Sequence, residues 1–187
     1  DTVKEHAKSA VDSLHKLGIR VIMMTGDNRY SADGIAKQVG IDSVISEVMP
    51  GDKSHKIKEL QDAGASVAMA GDGINDAPAL TQANVGIAMA NGTDIAIESA
   101  DVVLLGGEIE KIAKAIKLSK ATVRTIQQNL FWAFIYNVIG IPLAAGVFYP
   151  VFGLLLNPVF AGVAMAGSSV SVVLNSLRLR TVKLDHK

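Results

Sequence analysis

The chain contains no cysteine, so its own residues cannot build a disulfide or a Cys-ligated metal centre. Aromatic residues are scarce, at 5%, and charged residues make up only 19% of the 187 positions. Lys and Arg (18) balance Asp and Glu (18), so the formal net charge is zero. There is no basic patch with interleaved aromatics, which argues against a nucleic-acid partner. No signal peptide, internal repeat or low-complexity segment is visible. The helical pattern starts at once, in Asp1-Thr2-Val3-Lys4-Glu5, as if the chain were cut from something longer.

The most informative absence is local. Residues 129–177 contain no Asp, Glu, Lys, Arg or His, while the remainder of the chain averages the usual mixture. A soluble domain has no use for so long an uncharged stretch. A bilayer does, because one helix needs about 20 apolar residues to cross its hydrocarbon. The expected organisation is therefore a soluble part over 1–108, a connecting stalk helix over 109–128, a two-helix transmembrane hairpin over 129–178 and a basic tail over 179–187. Within the hairpin the spans are expected at about 130–148 and within 154–177, with a turn at Tyr149-Pro150. Lysines and an arginine precede the first span, and Arg178, Arg180 and Lys183 follow the second. The positive-inside rule then places both ends in the cytosol.

The soluble part alternates between two periodicities. Thr2 and Glu5 fit a capping box, and Val3, Ala7, Ala10, Val11 and Leu14 recur at helical spacing until Gly18. Apolar strands are expected at 21–24, 44–45, 67–70, 85–89 and 102–105, and helices at 31–39, 54–63 and 75–81. Strands alternating with helices predict an α/β fold with a parallel sheet. Ligands in such sheets bind at the carboxyl ends of the strands. Thr25, Gly26, Asp27, Gly71, Asp72 and Gly73 all fall there.

Three motifs carry chemistry. Thr25-Gly26-Asp27-Asn28 offers a hydroxyl and backbone N–H groups to phosphate oxygens, although such loop residues are common. Pro50-Gly51-Asp52-Lys53 opens a helix and brings Lys53, a cation suited to a transferring phosphoryl group; a solvated surface lysine would read the same way. Gly71-Asp72-Gly73-Ile74-Asn75-Asp76-Ala77-Pro78-Ala79-Leu80 places two carboxylates four residues apart beside a Gly-rich turn. Mg²⁺ prefers one or two carboxylates with phosphate and water, and Gly71 and Gly73 allow close approach.

On these three motifs, in this order, the chain resembles the later half of the haloacid-dehalogenase-like phosphorylation domain of P-type ATPases. Gly92-Thr93-Asp94 and Glu98-Ser99-Ala100-Asp101 are similar to the domain's continuation. The resemblance implies a Rossmann-like fold, with Mg²⁺ and ATP as cofactors. It implies Asp72 and Asp76 at Mg²⁺, Thr25 and Lys53 on an aspartyl phosphate, and Asn75 assisting phosphate binding. It also implies Gly26, Asp27, Gly71 and Gly73 near the transferred phosphate or nucleotide.

Polar residues in the expected spans narrow the reading. Tyr136-Asn137 precedes Pro142 in the first, and Met165-Ala166-Gly167-Ser168-Ser169 lies in the second. A proline frees backbone carbonyls, and a thioether suits Cu(I), although small residues also serve close helix packing. The pattern resembles the copper(I) subgroup of heavy-metal P-type ATPases. It implies a Cu⁺ path through Tyr136, Asn137, Met165 and Ser169, delivery by a cytosolic metallochaperone, and residence in the plasma membrane. One departure matters: the nucleophilic Asp of the family's Asp-Lys-Thr-Gly-Thr string is missing, so the chain alone is expected to be inactive. The readings left open are a pump for Ag⁺, Cu²⁺ or Zn²⁺/Cd²⁺, and a non-catalytic membrane-anchored phosphate-binding module.

Overall fold

The computed structural model describes residues 6–72, 74–89, 98–147, 149–153 and 158–184. The Thr2–Glu5 capping box, Gly73, Gly92-Thr93-Asp94 and part of the second expected span lie outside them. The chain divides into two compact units, residues 1–113 and 114–187. The division falls inside the stretch expected as a stalk helix.

In the first unit the element order is α1 (Ala7–His15), β1 (Ile22–Met24), α2 (Arg29–Val39), β2 (Ser43–Ile45), α3 (Lys53–Asp62), β3 (Ala68–Gly71), α4 (Ala77–Gln82), β4 (Val85–Met89) and β5 (Val102–Leu104). Short 3₁₀ turns at Pro50–Asp52 and Ile74–Asp76 lead into α3 and α4. Local chemistry explains the boundaries. Asn28 caps α2, its side-chain oxygen accepting from the Ser31 N–H at 2.9 Å, and Gly40 closes it at φ 88. Helix α1 buries Ala7, Ala10, Val11 and Leu14, the stripe its spacing predicts. The Asp42 carboxylate accepts from the Val21 N–H at 2.7 Å and pairs with the His15 ring at 2.8 Å. That backbone hydrogen bond first, and His15 second, hold the Asp42 carboxyl below its ordinary range.

All strand pairs are parallel, as expected, but the described strands do not form one sheet. β1 pairs with β2, and β3-β4-β5 form a separate ladder. The second sheet has a buried strand in β4, where residues 86–89 are covered, while Ala68 and Ala70 of β3 are exposed. A strand inside a finished parallel sheet is covered on both faces. β3 has an uncovered face and, pairing with β4 alone among the described strands, is also an open edge. Beneath it, Ile57 of α3 and Leu80 of α4 are almost fully buried. Gly86 permits the close approach of β4 to α4, since an added Cβ would lie 2.7 Å from the Leu80 carbonyl oxygen.

The second unit holds most of α5 (Glu110–Ala144), α6 (Tyr149–Phe152) and α7 (Pro158–Leu177), then a 3₁₀ turn at Arg178–Thr181. Asn129 Nδ2 donates to Ser176 Oγ at 3.0 Å, and Asn175 Nδ2 donates to Asn129 Oδ1 at 2.8 Å, so α5 and α7 form a hydrogen-bonded pair. The simple turn expected at Tyr149-Pro150 is instead a short helix.

The membrane expectation is also corrected in part. Among the described residues, no helix is long and apolar enough to cross a membrane. Gln127, Gln128, Asn129, Tyr136, Asn137, Gly140 and Pro142 dilute the apolar run of α5.

Candidate functional site

Two of the motifs sit where a parallel strand ends, and the third opens a helix. Thr25 follows β1, Lys53 opens α3 after β2, and Gly71 closes β3. The Thr25 hydroxyl donates to Asp27 Oδ2 at 2.9 Å and accepts from the Asp27 N–H at 3.1 Å, a closed hydroxyl turn. The Thr25 N–H donates to the Ile45 carbonyl at 3.0 Å. The segment after β2 braces the same loop, with Glu47 N–H on the Asp27 carbonyl at 3.0 Å and Val48 N–H on the Thr25 carbonyl at 3.1 Å. Glu47 takes φ 58 to do so.

That bracing segment continues directly to Lys53. Lys53 Nζ donates to Asp76 Oδ1 at 2.6 Å, with the two side chains 19% and 11% exposed. Asp76 is a buried carboxylate in a chain whose other described acidic residues reach solvent more freely. The loop after β1, the entry to α3 and the turn after β3 are therefore joined through residues 45–53. Gly71 completes the fit: an added Cβ would lie 2.8 Å from Asp76 Cβ and Oδ2. The requirement for glycine at Gly71 comes from its neighbour Asp76, since its own φ lies outside the left-handed region.

The arrangement supplies a cation and carboxylate oxygens at one sheet edge. Two carboxylates, Asp72 and Asp76, match the donor set Mg²⁺ prefers, since a hard divalent ion takes oxygen ligands and retains water. Asp72 and Asn75 are exposed on the turn, so both can meet a ligand from solution. Among the described residues, no group of three His, Cys, Asp or Glu gathers to hold a metal. Two protein carboxylates and a ligand oxygen are what this site can offer. Gly26 lies on the loop between Thr25 and Asp27, where a Cβ would make only an ordinary contact, 3.5 Å from the Val48 carbonyl.

Two features escaped the sequence. Spacing suggests Lys53 at a phosphate but does not show that it pairs with Asp76. Nothing in the pattern marks Glu47 and Val48 as the brace of the Thr25 loop. Asp101, expected as part of the continuing domain, anchors the sheet: its Oδ2 accepts from the Gly86 N–H at 2.8 Å.

In the second unit, the expected path residues make local bonds. Asn137 Nδ2 donates to the Ala133 carbonyl at 2.9 Å, and Ser169 Oγ to the Met165 carbonyl at 3.2 Å. Tyr136 and Met165 are exposed. The described contacts do not bring these four side chains together.

Comparison with known proteins places these features in context. Residues 1–84 match the family model described as haloacid dehalogenase-like hydrolase. The chain is 60% identical over 182 residues to "Copper-transporting ATPase 2" of Rhizobium meliloti (strain 1021), covering 97% of this chain and 22% of that protein. It is 57% identical over 185 residues to "Copper-exporting P-type ATPase" of Staphylococcus aureus (strain JH9), covering 99% of this chain and 22% of the relative. A crystal structure of a zinc-transporting PIB-type ATPase in the E2.Pi state superposes with a TM-score of 0.82 at 35% identity, over 96% of this chain and 28% of that one. The chain spans about a fifth of the length of these curated relatives, 22% in both.

Proposed function

We propose that the chain, similar along nearly its whole length to segments of the P-type ATPases named above, is the phosphate-handling and terminal helical part of an ATP-driven copper(I) export pump. The observation that carries the catalytic reading is the Lys53–Asp76 bond at 2.6 Å, set where parallel strands end and tied to Thr25 through residues 45–53. Copper is favoured over zinc by the relatives at 57% and 60% identity, and by the absence of any charged side chain over 129–177. A desolvated divalent ion calls for nearby negative charge, whereas Cu⁺ is satisfied by soft, neutral ligands.

In this reading Asp72 and Asp76 hold Mg²⁺, which when bound offsets the negative charge of the phosphoryl group. Lys53 positions Asp76 and presents its ammonium to the same group. Thr25 and the loop N–H group of Gly26 orient phosphate oxygens, with Asp27 holding the Thr25 hydroxyl and Asn75 beside them, and Gly71 leaves the space that Asp76 occupies. The carboxylate that is phosphorylated comes from another segment of the longer protein. The open edge of β3, with Ala68 and Ala70 exposed, is a suitable place for the strand that carries it.

The helical unit lies in the membrane, packed against other helices of the longer protein. Polar residues in hydrocarbon need protein partners, so those of α5 and α7 face neighbouring helices rather than lipid. Exposed Phe134 (68%), Ile141 (65%) and Val163 (65%) support a lipid or helix neighbour. Tyr136, Asn137, Met165 and Ser169 line the Cu⁺ path. Both ends of the chain face the cytosol of a plasma-membrane pump, and a cytosolic metallochaperone supplies the ion.

The experiment is metal-stimulated, Mg²⁺-dependent ATP hydrolysis by the longer protein and by this chain alone. The reading requires stimulation by Cu⁺ in the former and no turnover in the latter. Equal stimulation by Zn²⁺ would overturn the choice of ion, and turnover by the isolated chain would overturn the missing-nucleophile argument.

A further inference from the structure

The helical unit contains a second polar site, well separated in sequence from the phosphate motifs. A cleft of about 580 Å³ opens between the Lys120–Gln128 turns of α5 and the chain leaving α7. Lys120, Arg124 and Arg178 line it, with Thr125, Gln128 and Thr181 between them. Among the described residues no acidic side chain lines it.

The charge imbalance extends well beyond the cleft. Residues 111–184 contain eight Lys and Arg and not one Asp or Glu. Like charges gathered in one concavity repel; the one acidic side chain of this unit, Asp185, lies outside the described residues. Two side-chain amide oxygens of the cleft are already engaged. Gln128 Oε1 accepts from Asn175 Nδ2 at 3.3 Å, and Asn175 Oδ1 accepts from Arg178 Nη1 at 3.5 Å. The Thr125 and Thr181 hydroxyls donate to Ala121 and Arg178 carbonyls, which leaves their oxygens as acceptors or rotatable donors. The site therefore attracts an anion, and guanidinium groups favour phosphate.

Its position selects the kind of phosphate. The uncharged stretch runs from 129 to 177, and the cleft is built from residues directly before and after it. If that stretch lies in hydrocarbon, the cleft lies at headgroup depth, where basic pockets between helices meet anionic lipids. We propose that this cleft binds the phosphodiester headgroup of an acidic phospholipid, held by Arg124 and Arg178 with Lys120 at the rim. The site rests on the membrane reading of the helical unit and is separate from ATP chemistry.

The test reconstitutes the whole 187-residue chain in nanodiscs containing equal phosphatidylcholine and phosphatidylglycerol, then extracts it and reads retained lipid by native mass spectrometry. Wild type is expected to retain phosphatidylglycerol preferentially. Arg124→Gln with Arg178→Gln is expected to reduce that preference roughly tenfold or more. Arg180→Gln with Lys183→Gln removes the same charge outside the lining and is expected to leave the preference in place. Arg124→Lys with Arg178→Lys guards against misfolding and is expected to keep it.

Equal losses in the two Gln pairs would show diffuse attraction and overturn the site. So would an absence of preference in wild type, or displacement of the lipid by millimolar inorganic phosphate, which would identify a soluble anion. Resistance to alkaline carbonate extraction from phosphatidylcholine vesicles separates the two levels. A chain that is stripped off loses both the membrane reading and this site; a chain that stays inserted without lipid preference loses this site alone.

Discussion

Replacing Lys53 by Met tests the bond on which the catalytic reading stands. At 2.6 Å and an effective dielectric near 20, the gross attraction between Lys53 and Asp76 is about 6 kcal/mol. Desolvation of two side chains that are 19% and 11% exposed offsets much of that gain. Removing one partner is different, because a buried carboxylate then loses its cation without regaining full hydration. The expected cost is about 2–4 kcal/mol, the lower part of the range for broken buried pairs, because Asp76 keeps another interaction and slight exposure. Urea-dependent hydrogen exchange, read at peptides covering residues 68–89, measures this in the full chain. Asp76→Asn in the Lys53→Met background should recover most of the loss, since the stranded charge is gone. A Lys53→Met chain within about 0.5 kcal/mol of wild type, or no recovery in the double variant, would refute the reasoning.

Other perturbations test separate parts of the account. Gly71→Ala should destabilise β3 by about 1–3 kcal/mol, because its Cβ would meet Asp76 at 2.8 Å. Gly34→Ala should instead stabilise by about 0.5–1 kcal/mol in the same exchange assay, since Gly34 lies inside α2 with nothing within 4 Å of an added Cβ. Asp42 has a lowered carboxyl pKa, so the stability it contributes is present above its ordinary value of 3.8 and is lost as pH falls through the lowered one. An acid titration of Asp42→Asn should therefore lack that part of the wild-type slope. In the longer protein, Met165→Ala should depress Cu⁺-stimulated turnover, and normal turnover would remove Met165 from the ion path.

Much of the first unit is legible from short-range chemistry. Gly40 marks the end of α2 because a left-handed exit is a local requirement, whereas the Asn28 cap starts the helix at Arg29, ahead of the expected 31. The apolar stripe of α1 and the parallel pairing follow from periodicity and alternation. Long-range pairing was not legible in the same way. Residue patterns do not reveal that the β1-β2 ladder stands apart from β3-β4-β5, since strand partners are chosen across the fold and not by neighbouring residues. The Lys53–Asp76 bond joins residues 23 apart through the fold, and their types alone are equally consistent with two independent ligands of phosphate and metal. In the helical unit, the lack of charge over 129–177 was plain, but its polar residues keep α5, long as it is, below the hydropathy of a lone span. Tyr149-Pro150 read as a turn because proline often breaks a helix; here it begins α6, where a missing N–H costs nothing.

The central claim is that Asp76 serves a phosphorylated carboxylate supplied from elsewhere in a copper pump. Its most direct test is acid-stable incorporation of the γ-phosphate of ATP into the longer protein, with Mg²⁺ and Cu⁺ present, in wild type and in Asp76→Asn. The account predicts labelling of wild type and a loss on the order of a hundredfold or more in the variant, given that single electrostatic contributors to catalysis are worth about 10²–10³. Equal labelling of the two proteins would contradict it.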